Sequence, residues 1–267
     1  MTITRLALSF VFALPLSAGA AVGTVHKDFS AAGITQLAVR SVDGDISIAP
    51  GAAGTIGADM TYDAEKCELT AETRGKMVFL EARRKKRWQF FSFGSKDQPC
   101  AKFDIKAPAG MEVNPVTVSG DLKVEGVNGP VTGKTVSGDA LVSGSAGLSL
   151  TTVSGDLEFS GAAGKIYLKT TSGDISGGIV SSGDVEARTV SGGISLKVLK
   201  PAAKGVFSLE TVSGDVKLGF PKGAKAAATF HSVSGEQSNN IINDPEAGLK
   251  IKVETTSGDL ALNAMAQ

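Results

Sequence analysis

The stretch Leu148-Ser-Leu-Thr-Thr-Val-Ser-Gly-Asp-Leu-Glu-Phe159 is a template that recurs through most of the chain after Met111. Apolar and polar residues alternate on either side of Ser-Gly-Asp. Each flank therefore has the period of a β-strand, and the triplet reads as the corner between two strands. Ser-Gly-Asp or a close variant ends at Asp121, Asp139, Asp156, Asp174, Asp184, Gly193, Asp215, Glu236 and Asp259, with an outlying early copy at Asp43-Gly44-Asp45. A unit repeated this often buries its apolar side only by stacking on its neighbours. The pattern predicts an all-β chain, a single β-solenoid built like a parallel β-helix, with structural corners at Asp45, Asp121, Asp139, Asp156, Asp174, Asp184, Asp215 and Asp259. Asp184 divides an interval of ordinary coil length, which marks it as an extra corner inside one coil.

Aligning the copies on the corner serine separates inside from outside. Leu148 and Leu150, Ile166 and Leu168, Phe207 and Leu209, Ala228 and Phe230, and Ile251 and Val253 stand six and four residues ahead of it, and they read as core. Two residues ahead stand Thr117, Thr135, Thr152, Thr170, Thr189, Thr211, Ser232 and Thr255, with Val180 breaking the series. Parity turns these hydroxyls inward. A buried hydroxyl needs a partner, so a ladder is predicted in which each bonds a neighbouring rung or the corner backbone. Lys134, Tyr167, Lys169, Glu186, Arg188, Glu210 and Lys252 fall on the outward parity.

The region ahead of the repeats differs. Residues 1–20 have the form of a secretory signal: Arg5, an apolar run from Leu6 to Leu16, and the small residues Ala18-Gly19-Ala20 before an expected cut. That run is shorter than the ~20 residues of a spanning helix, and no later segment is suited to cross a membrane. Export to a periplasm, the cell surface or the medium is expected. The remaining chain divides into 21–108, an irregular N-terminal β cap that holds the first rung, and 109–267, the repeats. Ile56–Tyr62, Cys67–Thr73, Lys76–Ala82, Trp88–Phe93 and Ala101–Lys106 read as the strands of the cap, which covers an otherwise open end of the stack. Cys67 and Cys100 lie in this exported part, where an oxidising compartment permits a disulfide; two free thiols are the alternative. Pairing would close a long loop and stabilise by ~3–4 kcal/mol.

Lys+Arg and Asp+Glu both number 27, which removes any global electrostatic argument for nucleic acid. The corner aspartates, stacked ~4.8 Å apart, would repel one another by roughly 1 kcal/mol in water and so need backbone donors, cations or water. Corner formation is one role for them. The other is acid/base chemistry on a polysaccharide, with Asp156 and Asp174 as the acids, as in carbohydrate-cleaving β-helices. Calcium-type Gly-Gly-x-Gly-x-Asp repeats, a Gly-x-Ser-x-Gly elbow, phosphate-binding glycine loops and metal-spaced His/Cys clusters are all missing from the sequence, so no cofactor and no enzyme are expected. His26 and His231 read as surface residues. The candidate binding segment is Arg83-Arg84-Lys85-Lys86-Arg87-Trp88, followed by Phe90, Phe91 and Phe93. Five cations beside aromatics suit an envelope glycan or anionic lipid, while a solvated hairpin tip would look the same in sequence.

The signal segment, Val42-Asp-Gly-Asp-Ile-Ser-Ile48, the lead-in Phe103-Asp-Ile-Lys-Ala-Pro-Ala-Gly110 and the Thr-Val-Ser-Gly-Asp copies together resemble the putative adhesin family of bacterial envelope proteins, a domain of unknown function. The resemblance runs from about Ala38 to the end. It implies a β-solenoid and an exported, non-catalytic binding or scaffolding role toward an envelope polymer or envelope protein, and it carries over no catalytic residues. The cysteine pair and the basic aromatic segment depart from the family pattern, so another member's partner need not apply. A self-polymerising scaffold, joined through end rungs, is a further alternative.

Overall fold

The computed structural model describes residues 22–85 and 99–265. The signal segment, Lys86, Arg87, Trp88 and the strand expected over Trp88–Phe93 lie outside the described residues. Every regular element described is a strand. The cap region holds β1 (Val22–Ser30), β2 (Gln36–Asp43), β3 (Ile46–Pro50), β4 (Thr55–Asp63), β5 (Cys67–Arg74), β6 (Met77–Arg84) and β7 (Ala101–Ala107). The repeats begin with β8 (Glu112–Ser119), β9 (Leu122–Glu125), β10 (Pro130–Lys134), β11 (Ala140–Ser145), β12 (Gly147–Thr151), β13 (Leu157–Ala163) and β14 (Ile166–Lys169). Two long strands, β15 (Ile175–Arg188) and β16 (Ile194–Ser213), each run from one corner round to the next. The chain closes with β17 (Val216–Pro221), β18 (Lys225–Ser234), β19 (Gln237–Asn239), β20 (Ile242–Asn243), β21 (Leu249–Ser257) and β22 (Leu260–Met265).

Each coil has a strand entering the corner and a strand leaving it, and both stack in parallel on the next coil. Leu148 of β12 faces Val131 of β10 and Ile166 of β14; Leu157 of β13 faces Ala140 of β11 and Ile175 of β15. This register superposes like on like, so inward side chains form continuous columns. Ile46, Leu122, Leu157, Ile194, Val216 and Leu260 make one on the leaving face, all at most 2% exposed. Where a column carries a large ring, its neighbour shrinks: a Cβ on Gly177 would strike the Phe159 ring.

Chain order and stack order part company at both ends. The corner amide of Asp121 bonds Asp45 across a sequence separation of 76, so the intervening segment folds away to one end. There β6 and β7 lie outside β2 and β3, and the antiparallel pairs β5–β6 and β1–β4–β7 close the end. At the other end β21 sits between β16 and β18, and β22 sits between β17 and β19. The last coil in sequence is thus the last but one in space.

The threonine ladder forms as its parity requires. Thr117, Thr135, Thr152, Thr170, Thr189 and Thr211 each donate to a corner glycine carbonyl one rung back, as Thr170 does to Gly155 at 3.2 Å. Thr255 is buried, and its hydroxyl makes no hydrogen bond among the described residues. Thr170→Val should therefore cost about 1 kcal/mol, whereas Thr255→Val should be neutral or stabilise by up to about 1 kcal/mol; urea midpoints of the two variants test this contrast. Val180 interrupts the series because Ser182-Gly183-Asp184 belongs to the bend opposite the other corners. There Ser182 donates to Gly164 O at 2.6 Å and Asp184 accepts from the Val206 amide. Cys67 and Cys100 are joined, tying the start of β5 to the residue before β7. Asp244–Ala247 forms a turn, with the Ala247 amide bonded to Asp244 O at 3.0 Å.

Candidate functional site

The repeats stack the corner acids into a row along one side of the coil. Its glycines hold φ near +150°, as Gly155 does at 152°, which brings successive backbones so close that no side chain fits between them. That approach aims each corner amide at the aspartate of the rung before. Asp139 N–H donates to Asp121 Oδ1 at 2.9 Å, Asp156 to Asp139 at 2.8 Å, Asp174 to Asp156 at 2.8 Å and Gly193 to Asp174 at 2.7 Å. Past a break at Gly193, Asp259 N–H donates to Asp215 at 3.0 Å and Glu236 N–H to Asp259 at 2.9 Å. The Asp259 amide, helped by Lys217, holds the Asp215 carboxyl below the usual carboxylate range. One carboxylate oxygen per rung is thus engaged by backbone, and glutamate replaces aspartate only at Glu236, where no further rung follows.

Beside this row runs an exposed apolar ridge. Val118, Val136, Val153, Val190 and Val212 point outward at 45–48% exposure, with Thr171 and Thr256 in the same position on other rungs. Parity turns these valines outward, opposite to the threonine that precedes each, and stacking in register joins them into one apolar line.

On the leaving face an open cavity of about 640 Å³ lies around Gly193, bordered by Asp174, Asp215 and Lys217 and floored by Ser176 and Ser195. It continues along the face past Gly177 and Gly178 to Lys197. The corner acids Asp156 and Asp174 both border it, spaced as neighbours in the row.

The basic segment starts at the corner end of the β6–β7 coil. Its described cations have partners: Arg83 pairs with Glu68 at 3.2 Å, Arg84 with Asp43 at 2.6 Å, and Lys85 Nζ donates to Ala64 O at 2.7 Å. These three anchor the base of the segment, while Lys86, Arg87 and Trp88 lie outside the described residues. His26 sits on β1 between Asp59 at 2.7 Å and Asp28 at 3.3 Å; hydrogen bonds to the two carboxylates raise its pKa. His231 is exposed on β18.

In comparison with known proteins, the Toastrack DUF4097 family matches residues 34–263. No curated protein matches the chain. Among solved structures the chain is similar to a "putative cell adhesion protein" from Clostridium sporogenes, at 10% identity over 91% of this chain and 100% of that one, with a TM-score of 0.33. It is also similar to a "putative adhesin" from Bacteroides fragilis, at 14% identity over 89% and 97%, with a TM-score of 0.37. A "putative lipid binding protein" from Parabacteroides distasonis aligns at 11% identity over 89% and 97%, with a TM-score of 0.38.

Proposed function

The chain belongs to the Toastrack DUF4097 family, and from that premise we propose that it is an exported, non-catalytic binding module of the bacterial cell envelope. Its rigid stack displays outward-facing side chains to an envelope polymer or another envelope protein. The observation that carries this reading is the engagement of the corner acids. Asp121, Asp139, Asp156 and Asp174 each accept an amide N–H from the next rung. That bond holds the acids side by side in one row on one face of the stack, whereas a glycosidase needs two carboxyl groups facing each other across the scissile bond. The signal-like residues 1–20 and the Cys67–Cys100 disulfide support export, because such bonds persist in oxidising compartments.

The test incubates residues 21–267 with envelope glycans and with anionic vesicles, scoring retention and polymer length together. Retention with intact polymer is expected, and its loss on neutralising Arg83 to Arg87 would place the contact at the cap. Shortening of the polymer, abolished by Asp156→Asn or Asp174→Asn, would overturn the non-catalytic reading. Asparagine keeps an acceptor Oδ1 for the next amide, so these variants separate chemistry from folding.

The far end of the stack favours a second reading, self-association. Over Ala227–Ser234, β18 pairs with β21 alone among the described residues, and Val233 is 74% exposed. An uncovered strand edge is a template for another strand. If it joins two copies, sedimentation shows mass rising with concentration, and Val233→Lys suppresses the rise.

A further inference from the structure

We propose that the notch at Gly193 binds a carboxylate-bearing sugar, whose carboxylate takes the place that an aspartate side chain fills on the neighbouring rungs. The inference rests on the binding-module reading and gives it a site and a ligand class.

The corner amides carry the argument. From Asp121 onward each donates to the carboxylate one rung back, with one exception. Asp215 follows a glycine, and its N–H makes no hydrogen bond among the described residues. In every other copy that donor meets an oxygen of the protein itself. At this rung the corner glycine, Gly214, keeps the φ and the close backbone approach of the ladder, while the acceptor side chain is missing from the sequence. The cavity described above opens at this point. A ligand carboxylate seated there would meet a backbone donor already fixed by the sheet.

Charge limits the occupant to one that carries little negative charge, because Asp156, Glu158, Asp174 and Asp215 line the cavity against the single cation Lys217. Lys217 Nζ lies 3.4 Å from Asp215 Oδ2 and is 60% exposed, so an ammonium stands at the edge of the notch. Asp174 and Asp215 flank it, and each would repel an added unit charge at about 5 Å by roughly 1 kcal/mol in water and by more near protein. A single carboxylate bears this cost throughout the row. A phosphate monoester, with nearly two charges near neutral pH, would meet greater repulsion with no second cation in the lining to offset it.

The rest of the lining asks for hydroxyl groups. Ser176, Ser195, Glu158 and the free oxygens of Asp156 and Asp174 present acceptors, which suit a ligand with several O–H donors. The trough toward Lys197 runs over small residues, giving room for the next unit of a chain. Carboxylate and polyol together describe a uronic-acid type of sugar.

The experiment titrates the full chain with a galacturonic acid trisaccharide and with its methyl ester, following the backbone amide of Asp215 by NMR. The acid should shift that amide, and the ester should bind about tenfold more weakly because the charged acceptor is lost. The Gly193→Asp variant supplies the missing carboxylate from within. A Cβ at 193 would sit 3.2 Å from Asp215 O, in a conformation that side chains can adopt, so only a slight adjustment is required. This variant should lose the trisaccharide and raise the melting temperature by about 2–4 °C as the ladder becomes continuous. Equal binding of acid and ester, wild-type binding by Gly193→Asp, or an unmoved Asp215 amide at millimolar acid would each overturn the proposal. Retention of envelope glycans that survives Gly193→Asp would sink the notch and leave the binding-module reading standing.

Discussion

Gly155→Ala is expected to lower the free energy of unfolding by about 3–5 kcal/mol, combining strain at a φ that only glycine adopts readily with a backbone collision. Gly155 has φ 152°, and a Cβ there would run into the carbonyl oxygen of Gly138 on the adjacent rung. That oxygen cannot retreat, because Gly138 lies in a corner whose amide bonds Ser154 O at 3.1 Å and whose carbonyl accepts Thr152. Separating the rungs would also stretch the Asp156 amide from Asp139. A loss of that size is a large fraction of the ~5–15 kcal/mol that typically holds a domain together. Gly178→Ala is the control. Nothing stands within 4 Å of its Cβ position and its φ is unexceptional, so the change should be neutral or stabilise by about 0.4–1 kcal/mol. Urea unfolding at unchanged slope reads both, and coincident midpoints would refute this account of the corner.

Deleting residues 249–267 should unfold two coils, although the deleted segment forms only one. β21 and β22 fill the space between β16–β17 and β18–β19, and they supply Leu249, Ile251, Val253, Leu260 and Leu262 at no more than 2% exposure. Burying side chains of this kind contributes about 1.5–3 kcal/mol each. Without them β18–β19 has no sheet to join, and Phe207, Leu209, Val216 and Leu218 lose their cover. Contacts in a stacked fold are local, so the damage should stop there. Hydrogen exchange is expected to show lost protection from about Lys222 to the new terminus, with the coils from Met111 to Val190 unchanged. Retained protection in β18 would mean that it docks directly on β16, and the prediction would fail.

The corner and its threonine ladder were readable because the copies are nearly identical and a period of two assigns every side chain to a face. Thr170 could be turned inward and Lys169 outward with no knowledge of the neighbours. The order of the coils could not be read. β18 and β21 both carry inward apolar pairs, Ala228 with Phe230 and Ile251 with Val253, and either pattern would rest on β16; local alternation states which face a residue occupies but not which strand it meets. The same limit hid the role of the Asp row. Ser-Gly-Asp is visible, yet the bond from one rung's amide to the previous carboxylate exists only once register is set. Ser191-Gly192-Gly193 likewise looks like a weak copy until the unmet Asp215 amide appears beside it. In the basic segment, the partners of Arg83 and Arg84, Glu68 and Asp43, are distant in sequence and carry no motif.

The interleaving at the two ends also sets an order in time. A ribosome releases β18 and β19 before β21 and β22, so the coil destined for the far end emerges while the place it rests on does not yet exist. It must wait, loosely held, until β21 and β22 arrive and slip between it and the coil of β16 and β17. At the other end β2 and β3 wait in the same way for partners on both sides, which come only when β6 to β9 have been made. Such long-range pairings form slowly, and waiting strands are prone to pair with the wrong chain. The stack cannot grow coil by coil like a column laid from its base; it is closed from within, by strands made after the coil they support.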